Sequence, residues 1–311
     1  MANLLDKASI LLTPTAYDNG KMLSIKPTNG DGDFTFSRNG NASRVNSSGI
    51  IVTEGANLPR INYENGCGSW LLEPQSTNII PYSTDFSTWA FGRDGFPNNM
   101  TRVDGQSSPD GGTNSSLFTR NSGTNGFFGY GNSTVVLGNT YTYSIFIKKG
   151  TSSTFQINNV SNSPQSKVIY NIDTDTFTQE SNASGKAVNF GDGWYRVSMT
   201  YEHANTSSTS SQVRNYLGDG ESMYVFGGQL EQQSYATSYI PTFNAPEGTS
   251  RNRDLANGSG NSTLINSTEG VLYAEIAALA NSVPIQRLAL SSGDNTNRIY
   301  LQFSTTLNRI F

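Results

Sequence analysis

The chain has 311 residues, 35% of them hydrophobic and 14% charged, with a net charge of −4. That length holds two or more domains, and the small net charge with 11% aromatic residues excludes a self-repelling disordered chain. One cysteine (Cys67) and one histidine (His203) exclude a disulfide framework and a multi-cysteine zinc site, and an acidic chain without clustered Lys and Arg is not expected to bind nucleic acid.

Polarity here comes from Asn, Ser, Thr and Gly. Aromatic and β-branched residues suit half-buried strands, and the small polar residues supply turns, so the expected class is all-β. No run approaches the roughly 18 apolar residues of a membrane span, and no membrane insertion is expected. Met1 to Ala8 has no basic region followed by an apolar core, so no secretion signal is expected.

In chain order, residues 1–60 read as an extended arm with little core of its own. Ile10-Leu11-Leu12 and Met22-Leu23-Ser24-Ile25 flank the turn signal Asp18-Asn19-Gly20. Phe34-Thr35-Phe36-Ser37 alternates, which puts both Phe side chains on one face. So few large apolar groups make an independent fold marginal, and the arm is expected to gain stability by lying on a partner. Residues 61–80 read as a connector in which Pro74 favours extended chain.

Residues 81–243 carry repeated strand patterns. Thr140 to Ile147, Phe155-Gln156-Ile157, Val168 to Ile172, Trp194 to Tyr201 (after the turn Gly191-Asp192-Gly193) and Met223 to Phe226 are the clearest. Many short strands without intervening helical periodicity predict a sandwich of jelly-roll type. Within Trp194 to Tyr201, Trp194 is expected to face the core with Arg196 and Ser198, and Tyr195 and Val197 to point the other way. Residues 244–262 are a linker by composition. Residues 263–311, with Val271-Leu272-Tyr273 and the alternating Arg298 to Phe303, hold too few strands to close a sandwich and read as the beginning of a second one.

Several runs, in order, resemble bacteriophage virion proteins: tail-fibre and head-fibre subunits with carbohydrate-binding-like sandwiches. They are Phe36 to Ile50; Leu58-Pro59-Arg60-Ile61-Asn62-Tyr63; Leu71-Leu72-Glu73-Pro74-Gln75-Ser76-Thr77-Asn78; and Tyr82 to Trp89. Within the sandwich they continue as Tyr141 to Gly150, Gly193 to Ser198, Gly227-Gly228-Gln229-Leu230-Glu231 and Ser238-Tyr239-Ile240-Pro241-Thr242. The opening, Asn3 to Ala8 with Thr13 to Tyr17, is similar to the start of marine-phage fibre proteins. The last 50 or so residues look like the start of a laminin-G or concanavalin-type sandwich. The resemblance implies a virion location, other virion proteins as partners, a homotrimer, and attachment to a host-surface glycan. It leaves tail and capsid attachment both open.

No catalytic constellation stands out. His203 has no evident partner for a Ser/His/Asp arrangement and reads as an exposed strand-end residue. Asp31, Asp33, Asp173, Asp175, Asp192 and Asp219 sit in turn sequences, which accounts for them without a glycosidase pair or a calcium loop. The chain is therefore expected to be non-enzymatic, with no cofactor and no metal. For glycan binding, which uses flat aromatic faces against sugar C–H groups, the candidates are Trp89, Phe91, Phe127, Phe128 and Tyr130, in Gly-rich loops, with Trp89 packed under the sandwich edge as the alternative. For virion docking the candidates are Phe34, Phe36, Arg38 and Arg44, the arginines being able to grip partner carboxylates bidentately or simply to flank a turn. Alternative readings are a head-decoration fibre, a free carbohydrate-binding module and a glycan depolymerase.

Overall fold

Alternating stretches become strands, and turn chemistry joins them. A computed structural model describes residues 4–64, 66–91, 99–123, 126–205, 210–266, 268–278, 287–291 and 298–303. Asn19 and Gly20, both at positive φ, close the hairpin between Leu11–Asp18 and Lys21–Lys26. Asp192 and Gly193 do the same between Ser184–Gly191 and Trp194–Glu202. These are the residue types that tolerate two successive positive φ angles.

The expected sandwich is present as two six-stranded antiparallel sheets. One has the order Met100–Gln106, Ser115–Arg120, Ser222–Glu231, Thr140–Lys149, Trp194–Glu202, Ser184–Gly191. The other runs Thr176–Ser181, Ser166–Asn171, Thr154–Asn159, Ser210–Leu217, Phe128–Thr134, Ala90–Phe91. Between them lies the main core. Tyr143, Ile145, Ile147, Val197 and Met199 come from the first sheet, and Phe128, Phe155, Ile157, Val168 and Tyr170 from the second. Phe118 and Phe128 stack across the layers at 4.1 Å between ring centroids.

The central strands of the first sheet are buried on both faces. Phe146, Trp194 and Phe226 point away from the main core and form a second cluster with Ile51 and Tyr239. Trp194 therefore lies opposite the main core, which Val197 joins and against which Tyr195 packs. Trp194 does face a core, as expected, but it is this second cluster, and the opposite face with Val197 is the main core rather than solvent. Arg196 shares Trp194's face, fully covered, with its guanidinium 5.1 Å from the Phe146 ring centroid and hydrogen-bonded to Ser144 Oγ and the Thr237 carbonyl. We call this the covered sheet and the other the open sheet.

The cover is the N-terminal segment together with residues 233–239, which supply Tyr239 and the Gln233 and Thr237 carbonyls. Residues 1–60 do borrow surface, but from their own chain: Met1–Gly270 is one compact unit. The strand Phe34–Ser37 is flanked by Lys21–Lys26 on one side and by Leu255–Asn257 on the other. Ser76–Asn78 pairs with Thr249–Arg251. The segment 244–262 is thus not a free linker, because it supplies two strands to the N-terminal region, and the division between units falls at Gly270. The second unit, Val271–Phe311, contains the hairpin of Arg287–Ser291 with Arg298–Gln302.

What fastens cover to sandwich is a buried charge cluster. Asp254 receives Arg38 Nη1 at 3.1 Å on one oxygen and Arg60 Nη2 at 2.5 Å on the other. Arg60 Nη1 reaches Glu73 at 2.8 Å, and Arg251 lies 3.6 Å from the same carboxylate. Each of these side chains is 2% exposed or less. Ser238 donates to Glu73 through both its backbone N–H (2.8 Å) and its hydroxyl (2.6 Å). Asn78 uses its whole amide: it donates to the carbonyls of Gly228 and Ile240 and accepts from the N–H groups of Ile80 and Leu230.

Removing one partner of a buried pair leaves an uncompensated charge, which typically costs about 3–5 kcal/mol. Asp254→Ala should lower unfolding free energy by about that amount, read as a drop in denaturant midpoint. Burial works to raise the Glu73 pKa, but Arg251, Arg60 and the Ser238 donors outweigh it and hold it at about 2 against an ordinary 4.5. A depressed carboxylate stabilises fully above its unfolded-state pKa and loses that contribution as pH falls through the folded value. Melting curves between pH 4.5 and 2 should therefore show a loss of stability that Glu73→Gln, already destabilised at neutral pH, largely lacks.

Candidate functional site

With the centre of one sheet covered, the outer face of the open sheet is a broad sandwich surface open to a ligand. Its side chains follow from strict alternation. In Thr154–Asn159, Phe155 and Ile157 enter the core, so Gln156 and Asn158 point away from it, Asn158 being only 8% exposed. In Ser210–Leu217, Val213 and Leu217 enter the core, so Gln212, Arg214 and Tyr216 face out. In Ser166–Asn171, Val168 and Tyr170 enter, leaving Lys167, Ile169 and Asn171 outside.

Strand register lines these residues into two rows running across the sheet. Gln179, Ile169, Gln156 and Tyr216 are successive cross-strand partners, and Phe127 continues the row with its ring centroid 5.8 Å from that of Tyr216. Ser181, Lys167, Asn158, Arg214 and Gly129 form the neighbouring row. Adjacent strands are about 4.8 Å apart, so each row spans several sugar-sized steps. Gln156 Nε2 donates to Asn158 Oδ1 at 3.0 Å, which ties the two rows together. The Arg214 guanidinium lies 4.3 Å from the Phe127 ring centroid, held flat by the ring's negative face. Gln156, Arg214 and Tyr216 are half-buried, which restrains their rotamers while leaving their polar edges accessible. Planar amides and a guanidinium beside an aromatic ring can hydrogen-bond ring hydroxyls and cover apolar C–H faces.

The aromatics singled out from sequence fall differently. Trp89 is 3% exposed, in the main core, with its indole N–H donating to the Tyr82 carbonyl at 2.8 Å. A Cβ on Gly228 would collide with that indole, which explains the glycine there. Trp89 is therefore packed under the sandwich edge and not presented to a sugar. Phe128 is fully buried in the core, and Phe127 is buried beneath Arg214. Tyr130 is half-buried against the core, edge-on to Trp89 at 6.0 Å. The side chain of Phe91 lies outside the described residues; its backbone pairs with Phe128. Of those whose side chains are described, only Phe127 touches the outward rows, as a support.

The docking candidates are corrected by burial too. Phe36 is 3% exposed and Arg38 is 1%, the latter spent on Asp254 and the carbonyls of Gly40 and Gly55. Phe34 is half-buried opposite Met22. Arg44 pairs with Glu54 within the hairpin of Ala42–Val45 and Ile51–Glu54. Phe36 and Arg38 serve the chain's own interior, and both edges of the Phe34–Ser37 strand are already occupied. His203, expected at an exposed strand end, is fully buried, its backbone exchanging hydrogen bonds with Asn139 and Gly138. The turn acids are engaged as turn chemistry requires: Asp33 accepts from Ser24, Asp173 from Lys149 and Ser153, and Asp175 from Tyr170.

Gln156, Asn158, Lys167, Arg214 and Tyr216 escaped the sequence reading. The signal for them was the polar half of the alternation, since attention to exposed aromatics in loops passes over polar residues in strands.

No family model matches the chain, and no curated protein matches it. Among solved structures, a CBM4 structure is similar over 56% of this chain and 100% of its own length, at 14% identity and a TM-score of 0.31. The structure of TmCBM61 in complex with β-1,4-galactotriose aligns over 50% of this chain and 99% of its own, at 9% identity and a TM-score of 0.33. The enzymatically active domain of bacteriophage CBA120 tailspike protein 4 aligns over 50% of this chain and 21% of its own, at 8% identity and a TM-score of 0.33. Similarity this low says nothing about what the chain binds.

Proposed function

We propose that this chain is a non-catalytic glycan-binding protein of a phage particle, a fibre or fibre-adaptor subunit whose open sheet meets a host-surface polysaccharide. One observation carries the binding reading: two in-register rows of planar polar side chains, with Tyr216 among them, lie on the outer face that the N-terminal segment leaves uncovered. Hydroxyl-rich ligands need many directional partners on a broad surface, and these rows provide them with little rotamer freedom left to lose.

The virion part rests on the ordered sequence runs from Phe36 to Thr242 and on the expectation of a homotrimer that comes with them. A second reading, a carbohydrate-binding module that works away from any particle, is favoured by the N-terminal segment packing on its own sandwich. Immunogold labelling of purified particles separates the two: label on a fibre supports the first, and particles free of the chain leave the second. The absence of a catalytic role is tested by incubating the chain with the bound polysaccharide, and any new reducing ends would overturn it.

Tyr216→Ala and Gln156→Ala should each weaken retention on the cognate polysaccharide in affinity electrophoresis by about tenfold, the size of one good contact. Their unfolding free energy should change by less than about 1 kcal/mol, as for other half-exposed positions. Trp89→Ala should behave oppositely, losing about 3–5 kcal/mol of stability as a core Trp truncation. Undiminished retention in Tyr216→Ala and Gln156→Ala together would remove the open face as the binding surface.

A further inference from the structure

We propose that the open face selects anionic glycans, specifically polysaccharides whose sugars carry carboxylates; this rests on the glycan-binding reading above. The protein is acidic overall, with a net charge of −4. Yet the outward positions of the two rows hold Lys167 and Arg214 and no Asp or Glu. The two cations stand on either side of Asn158 in one row, two strand spacings apart, or about 10 Å.

Several exposed cations elsewhere on the sandwich have carboxylates beside them, while exposed Lys186 enters no ion pair among the described residues. Lys148 has Asp192 at 2.9 Å, Lys149 has Asp173 at 2.6 Å, Arg102 has Asp104 at 2.7 Å and Arg120 has Asp219 at 3.7 Å. Among the described residues, Lys167 and Arg214 enter no ion pair. Arg214 is nevertheless held in place: its guanidinium lies over Phe127, and its one hydrogen bond, at 3.5 Å, is to Gln212 Oε1. A restrained guanidinium keeps its donor fork for an incoming group, and that fork matches a carboxylate bidentately. Lys167 supplies a second, point-like charge along the row, so a chain carrying repeated carboxylates satisfies both cations at once.

The test titrates the full chain with polygalacturonate, with the same polymer fully methyl-esterified, with dextran sulfate and with neutral xylan, each at low and high salt. Esterification removes charge while keeping the sugar backbone. Polygalacturonate should bind at least about tenfold more tightly than the ester, and Arg214→Gln and Lys167→Gln should each lose about tenfold toward the acid form only, as expected for a charge-assisted hydrogen bond. High salt should weaken the wild type more than either variant. Equal affinity for acid and ester, abolished by Tyr216→Ala, would overturn the anionic selectivity while the glycan-binding reading stands. Tighter binding of dextran sulfate, unaffected by Arg214→Gln, would overturn the carboxylate assignment. Failure to bind any of the four polymers would overturn both readings.

Discussion

Asp254 holds two arginines from distant parts of the N-terminal segment, one on each carboxylate oxygen, in a site closed to solvent. Through Arg60 and Glu73 the same cluster reaches Ser238, at the close of the sandwich. Burying five charged side chains is costly unless each is paired and hydrogen-bonded, so the cluster tolerates little displacement and places the N-terminal segment at one location. From that placement comes the second apolar cluster around Phe146, Trp194 and Phe226, and from the covering of that sheet comes the asymmetry of the sandwich.

The all-β class, the sandwich and both Gly-containing hairpin turns were legible in the sequence, because alternation and turn chemistry act over a few residues. The partners of a strand's outer face were not. Thr142, Ser144 and Arg196 are polar residue types that usually face water. Here they are buried and hydrogen-bonded to chain that lies up to 91 positions away. Arg38 was misread for the same reason: its partner Asp254 is 216 positions distant. Residues 244–262 have the composition of a linker, yet their backbone hydrogen bonds go to strands near the N-terminus. Composition reports flexibility only where no such partner waits.

The ordered sequence runs from Phe36 to Thr242 coincide with the fastening, although no family model and no curated protein matches them. Arg38, Arg60, Glu73, Asn78, Gln229, Glu231, Ser238 and Thr242 all lie in those runs, and their side chains make interior hydrogen bonds. Glu231 is fully enclosed, so that burial raises its pKa against the donors Ser76 and Thr237. Gln156, Asn158, Lys167, Arg214 and Tyr216 fall outside every one of the runs. Those runs are thus the part that builds the scaffold, and the outward rows lie apart from it.

The pairing of Ser76–Asn78 with Thr249–Arg251 joins the chain just before the sandwich to the chain just after it. Tension applied between the N-terminal strands and residues beyond Asn257 would run through that short ladder and the Arg38–Asp254 contact, bypassing the domain between them. The outer face of the open sheet belongs to none of the strands that such a pull would load first.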